Sequence, residues 1–198
     1  MNKVIYTIAY MMLTCLTSTT YAQDIIDAVS FELDGKPLNG KIQIVNNYNI
    51  VIEDVTFENG LRKGIKKRYY SNGLLFLEGK YVEGKREGVH KSYYENGKQK
   101  AVYSYKNGLQ DGLSRFYEDD GHLYSDDLYK NGIREQATSY YENGKAKYLR
   151  TFVDGVQTEE VKYTDKGKID EKTFFINGEA VRIEYYKNGK FDYNFDLY

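Results

Sequence analysis

Residues Tyr93–Lys98 read YYENGK, and residues Tyr140–Lys145 read YYENGK again. Near-copies stand around them: YYSNG at 69–73, FYEDDG at 116–121 and YYKNGK at 185–190. Working outward, glycine recurs at Gly60, Gly73, Gly84, Gly97, Gly108, Gly121, Gly132, Gly144, Gly155, Gly167, Gly178 and Gly189. The repeating unit is a pair of turns, 22 to 24 residues long, a period that marks a repeat architecture. Eight of these twelve glycines follow Asn and two follow Asp; the other two follow Glu83 and Lys166. A two-residue type I′ turn needs positive φ at both central residues, which Glu83 and Lys166 would resist. The expectation is therefore loops of three or more residues in which Gly alone is left-handed.

A second column runs beside the glycines. Tyr69, Tyr93, Tyr117, Tyr140, Tyr163 and Tyr185 each stand four residues before a turn glycine. Phe57, Tyr81, Tyr105, Tyr129, Phe152 and Phe175 each stand three residues before an alternate one. A fixed aromatic offset means that each strand meets its turn in the same register, where cross-strand aromatic pairs contribute roughly 0.2–1 kcal/mol each. The early units carry a further glycine, Gly64, Gly88 and Gly112, replaced later by Gln136 and Glu159. Segments such as KQKAVYSY (98–105) and KAKYLRTF (145–152) have strand composition and no helical spacing of apolar residues. The expected fold is all-β: an extended single-layer antiparallel meander of repeated hairpins, twisted or coiled, with about fifteen strands from near Val29 onward. Stability should then be a sum of neighbour terms.

The stretch GKREGVHKSYYENGKQKAVYSYKNGLQDG (84–112) resembles the bacterial variant of the MORN repeat, with its YxNG turns and paired G-x-x-x-G loops. The resemblance covers about residues 57–190 and, more weakly, 35–57. It implies an all-β hairpin array, no known catalytic residue set, and a role in binding or scaffolding. Some similar proteins are described as antitoxin or immunity components, and others as exported bacterial proteins.

The 198-residue chain has 22 Tyr, 9 Phe and no Trp. Its 28 basic and 29 acidic residues are interspersed, for a net charge of −1. That balance offers no broad electrostatic reason to bind nucleic acid or an anionic membrane. The N-terminus is a different text. Lys3 precedes an apolar run from Val4 to Leu16, and small Thr20 and Ala22 stand at −3 and −1 of a cut before Gln23, the layout of a secretory signal peptide. The run is too short to span a bilayer as a retained helix. The expected organisation is a signal peptide over 1–22, N-terminal strands with a degenerate repeat over 23–56, and hairpin repeats over 57–198. The protein is then exported, to the periplasm, the outer surface or the medium. Cys15 within MLTC offers a second reading, a lipid-modified N-terminus. Cleavage at Ala22 leaves no cysteine, so the exported domain stands on packing without disulfides.

Chemistry-bearing residues are sparse. His90 and His122 fall in different repeat columns and read as solvated side chains on a sheet. Glu118-Asp119-Asp120 and Asp126-Asp127 flank a turn with His122 between them, an arrangement that matches no calcium-loop spacing. No nucleophile with a base, metal cluster or cofactor motif stands out, so the expectation is a non-enzymatic binding protein without cofactor. A single-layer sheet exposes two faces, and exposed Tyr rows suit protein contacts and sugar rings. Strand alternation would put Tyr70, Tyr94, Tyr141 and Tyr186 opposite the invariant tyrosine column, as a contact row. The expected partner is another protein, or an envelope glycan. A toxin neutralised by this chain is the alternative.

Mass spectrometry of the native protein should find Gln23 as an unmodified N-terminus. A diacylglyceryl group on Cys15 would select the lipid-anchored form, and an intact Met1 in a cytoplasmic fraction would overturn export altogether.

Overall fold

The computed structural model describes residues 31–197 except Asp34. The expected signal peptide and Cys15 lie outside the described residues. Residues 31–99 with 104–109 make one compact unit, and residues 100–103 with 110–197 make a second. The described residues form strands and no helix, and none long and apolar enough to cross a membrane as a helix.

The strands are β1 (Glu32–Leu33), β2 (Lys36–Pro37), β3 (Gly40–Val45), β4 (Val51–Glu58), β5 (Leu61–Tyr69), β6 (Leu75–Val82), β7 (Lys85–Tyr93), β8 (Gln99–Lys106) and β9 (Leu109–Gln110). They continue as β10 (Gly112–Tyr117), β11 (Leu123–Lys130), β12 (Ile133–Tyr140), β13 (Ala146–Val153), β14 (Val156–Tyr163), β15 (Ile169–Ile176), β16 (Glu179–Lys187) and β17 (Lys190–Asp196). β1 pairs with β2, and the other fifteen share one antiparallel sheet whose spatial order follows the chain, open rather than closed into a barrel. The 56/57 boundary expected from the sequence falls inside β4.

Two kinds of turn alternate. The first is a five-residue loop. In 94–98 the Tyr94 N–H donates to the Lys98 carbonyl and the Gly97 N–H donates back to the Tyr94 carbonyl, at 2.8 and 2.9 Å. Only Gly97 is left-handed there, with φ 81°. This is the expected bulged loop, and the same bond pair recurs at 70–74, 118–122, 141–145 and 164–168. The residue before Gly also closes the loop. The Asn96 side-chain oxygen accepts the Lys98 N–H at 2.9 Å, as Asn72, Asp120 and Asn143 do in their loops. Lys166 has no such oxygen, and Thr164 supplies it, accepting from Lys168. A sixth copy hides at 46–50. There Asn46 and Ile50 make the same bonds, and Asn49, with φ 61°, takes the glycine's place. Asn tolerates the left-handed region better than most residues, so glycine spacing alone does not reveal this loop.

The second turn corrects the sequence expectation. Asn59-Gly60, Glu83-Gly84, Asn107-Gly108, Asn131-Gly132, Asp154-Gly155 and Asn177-Gly178 are two-residue tips with positive φ at both positions. Glu83 stands at 48° and Gly84 at 79°. The mirror-image tip matches the twist of the flanking strands, and that fit holds Glu83 in a region that costs about 1–2 kcal/mol. The tips are also tied down. Gly60, Gly84, Gly108 and Gly132 donate their N–H to the carbonyls of Leu38, Arg62, Arg86 and Gln110, one repeat earlier.

Asn188-Gly189 closes the last hairpin as a tip as well, with φ 56° and 79°. The wide loop is missing there, so the final strand pair is offset. Tyr185 pairs across Glu171 as Lys162 pairs across Tyr148. By structure Tyr185 therefore leaves the invariant tyrosine column that spacing assigned to it.

Gly97→Val puts a branched side chain at positive φ and should lower stability by about 1–2 kcal/mol, while Lys98→Ala should change little. Glu83→Asn should raise stability by roughly 0.5–1 kcal/mol. Denaturant midpoints of the three variants check all three expectations.

Candidate functional site

The sheet's two faces differ in kind. One carries the tyrosine column. The Tyr69, Tyr93 and Tyr140 hydroxyls donate to carboxylates on the preceding strand, Asp54, Glu78 and Asp126, at 3.3, 3.0 and 2.8 Å. Burial and the bonded carboxylate push Tyr93 and Tyr140 up to about 12. At these three positions the column tyrosine is thus a hydrogen-bonding clamp between strands as well as a packing ladder.

In the first unit the other face is filled. Val55, Phe57 and Tyr81 are buried there, and the Arg62 guanidinium lies over the Phe31 and Tyr81 rings at 4.8 and 5.7 Å. His90 belongs to this packing, which corrects its reading as a solvated residue. It is 2% exposed, and its ring lies edge-on between Tyr81 and Tyr105, with centroids at 5.4 and 4.9 Å. Its Nε2–H donates to the Lys80 carbonyl at 2.9 Å. The backbone explains the inward turn. Glu78 pairs with Lys91 and Lys80 with Glu87, so residues 88–90 bulge opposite Gly79 alone. A Cβ on Gly79 would lie 2.0 Å from His90 Nδ1. Gly79, the one glycine without a positive φ, is the floor beneath a histidine. The matching bulge at 64–66, opposite Val55, turns Lys66 in. Its ammonium lies 3.1 Å from Glu53, which Arg68 approaches at 3.5 Å. Burial lowers the Lys66 pKa despite Glu53.

In the second unit this face is varied. One cross-strand file runs Ser114, Asp127, Ala137, Arg150, Glu160, Thr173, Ile183. Its neighbour runs Phe116, Ser125, Ser139, Tyr148, Lys162, Glu171, Tyr185. No residue type dominates either file. Small Ser125, Ala137 and Ser139 floor a depression of about 380 Å³ rimmed by Phe116, Tyr124, Arg134 and Arg150. Tyr124 reaches the rim because Phe116 pairs with Ser125 and Tyr117 with Leu123, leaving it as the extra residue of a bulge. It is 41% exposed, its ring 6.2 Å from Phe116. Arg134 lies over the Phe152 ring at 4.4 Å and 3.4 Å from the buried Asp127 carboxylate. Arg150 Nε donates to Glu160 at 2.6 Å.

The expected contact row is not a row. Tyr70, Tyr94 and Tyr141 begin five-residue loops and lie outside the strands, so alternation along a strand does not set their direction. The Tyr70 and Tyr141 hydroxyls donate to the backbone carbonyls of Tyr93 and Tyr163, at 2.7 and 2.8 Å, tying each loop to the next. Tyr186 lies within β16, and its hydroxyl donates to Glu184 at 2.8 Å. The acidic turn is also dispersed. Asp126 bonds Tyr140 on one face, Asp127 faces Arg134 on the other, and His122 meets Asp120 at 2.9 Å in the open. Among the described residues no three metal-ligating side chains stand together.

Each hairpin closed by a five-residue loop is one repeat. Three of these repeats match the MORN repeat variant. The matched residues are 86–107, 110–131 and 136–154, which take in β7–β8, β10–β11 and most of β12–β13. The hairpins β3–β4, β5–β6 and β14–β15 carry the same loop bonds outside the matched segments. No curated protein matches the chain. Among solved structures, a mutant of S. aureus TarM in complex with Fondaparinux, alpha-GlcNAc-glycerol and UDP superposes with a TM-score of 0.38 at 9% identity. That superposition covers 48% of this chain and 19% of TarM, too partial to bear on function.

Burial holds the His90 pKa down at about 4, with Arg86 and Lys66 adding to the shift and the Lys80 carbonyl opposing it. The unfolded chain takes up this proton near 6.5, which the folded chain refuses until about 4. Stability from this residue is therefore complete above pH 6.5 and falls as the pH drops toward 4, by up to about 3 kcal/mol. In urea denaturation at pH 7 and pH 4.5, His90→Phe should lose about 2 kcal/mol less than the parent between the two pH values. Equal losses would show that the imidazole does not titrate out of the fold.

Proposed function

We propose that this is a non-enzymatic, exported repeat protein that binds another protein through the varied face of its second unit. The observation that carries the reading is the contrast between columns. Residues that recur from repeat to repeat build turns, clamps and ladder; the files through Asp127 and Ser125 do not recur. Side chains that the framework does not require are available for recognition, and a mix of aromatic, arginine and hydroxyl groups around a depression suits a protein contact. MORN repeats serve as binding modules generally, in keeping with this reading. Neutralisation of a toxin in the envelope would be one case of such binding.

One observation favours a glycan instead: Phe116 and Tyr124 lie beside the hydroxyls of Ser125, Thr138 and Ser139, a pairing of flat apolar and polar groups that fits a sugar ring.

A pull-down from envelope extract tests both. The parent protein should retain a protein partner. Tyr124→Ala with Arg134→Ala should reduce recovery at least roughly tenfold, while Tyr48→Ala, at a residue 85% exposed in the first unit, should not. Unchanged recovery with the rim variant would remove the face from the proposal. Retention on purified peptidoglycan with no protein recovered would replace the protein partner by a glycan.

A further inference from the structure

The last strand carries a surface that the repeat face does not explain. β17 runs KFDYNFD over Lys190–Asp196, and every residue in it is exposed. Among the described residues no strand pairs with its outer edge. Tyr193, Phe195 and Leu197 are 55%, 59% and 39% exposed. Tyr193 and Phe195 pair with Tyr185 and Ile183, so they extend the varied face into an apolar row. An uncovered edge with exposed aromatics is a template for another strand.

The backbone fixes which groups that edge offers. The Leu197 N–H donates to the Val181 carbonyl at 2.9 Å, and Phe195 and Tyr193 pair in phase with it. By antiparallel alternation their amides turn toward β16, and those of Asn194 and Asp196 turn outward. Toward Lys190 the ladder is broken, because Tyr185 pairs with Tyr193 and Tyr186 with Phe191, leaving Asp192 as a bulge. The free ladder is thus the short segment Tyr193–Leu197.

We propose that this edge pairs with the same edge of a second copy, antiparallel about a two-fold axis through Phe195. Charge selects both partner and register. A two-fold axis at Asn194 runs Asp196 of the other copy against the bulge at Asp192, where the ladder is broken, and one at Asp196 sets the two Asp196 carboxylates together; like charges directly opposite are destabilising. The axis at Phe195 avoids both. It places Asn194 opposite Asp196 of the second copy, twice, where the amide donates to the carboxylate. The outward N–H and C=O groups of both residues then complete four backbone hydrogen bonds. On the other face Phe195 meets its own copy, and Tyr193 meets Leu197. The segment is complementary to itself, and two-fold pairing uses up the β17 edge of both copies, so this contact closes at the dimer.

Two substitutions at one exposed position test this in opposite directions. Sedimentation velocity on the purified protein over a wide concentration range should show a monomer–dimer equilibrium. Asn194→Asp, which sets carboxylates opposite each other, should weaken it by roughly tenfold. Asn194→Lys, which sets ammonium against carboxylate, should strengthen it, with the gain lost in high salt. Circular dichroism should be unchanged in both. A monomer at every concentration overturns the proposal. So does a dimer whose affinity ignores residue 194, or growth beyond two copies.

Discussion

Left-handed residues at both ends of every hairpin are the constraint on which the remaining structure depends. A sheet of one layer has no opposing layer to hold its strands in register, so register must come from the turns. The five-residue loops place one left-handed residue and recycle their own backbone groups. The two-residue tips place two, and several clip onto the preceding repeat. Because the two turn types alternate, successive strands present the same columns to the same face. The tyrosine clamps on Asp54, Glu78 and Asp126 follow from that repetition.

Once turns carry the register, the face opposite the clamps is free to vary, and the two units use that freedom differently. The first fills its face. Bulges opposite Val55 and Gly79 turn Lys66 and His90 inward, and Gly79 gives up a side chain so that an imidazole can lie on it. The second keeps small residues at Ser125, Ala137 and Ser139, leaving a depression between aromatic and arginine rims. A filled face adds stability and an open one offers chemistry, which is why the proposed function draws on the second unit.

The same logic explains what happens at β17. Inside the sheet each strand's outer ladder is satisfied by the next hairpin. Substituting a tip for the wide loop at Asn188-Gly189 shifts the final pair and turns Tyr193 and Phe195 onto the varied face. An edge with that composition either accepts a partner strand or is an aggregation hazard. Self-pairing meets both demands with residues already present.

Sequence by itself determined the fold class, the repeat and the positions of the glycine-marked turns, because each is a local property. Gly marks left-handed backbone at each of its positions except 79, and a fixed aromatic offset records a fixed register. Turn type was only half legible. Asn precedes Gly in both kinds, as a side-chain acceptor in one and as a left-handed residue in the other, and Glu83 concealed a tip that strand twist imposes on it. Column membership near the C-terminus was misread for a related reason: spacing from Gly189 is the same whichever turn holds it, yet the turn decides which strand residues face which way. The site was least legible. Tyr70 and Tyr141 read as contacts because alternation was assumed to continue past the strand ends, where a loop redirects them to backbone carbonyls. His90 read as solvated because a column of Lys66, His90 and Ser114 looks polar, and only the bulge opposite Gly79, a mismatch in residue count between two paired strands, turns it into the packed face. The depression behind Tyr124 is likewise a difference between neighbouring strands. Such differences arise only when neighbouring strands are laid side by side and their residues matched in number, so only the tertiary structure decided them.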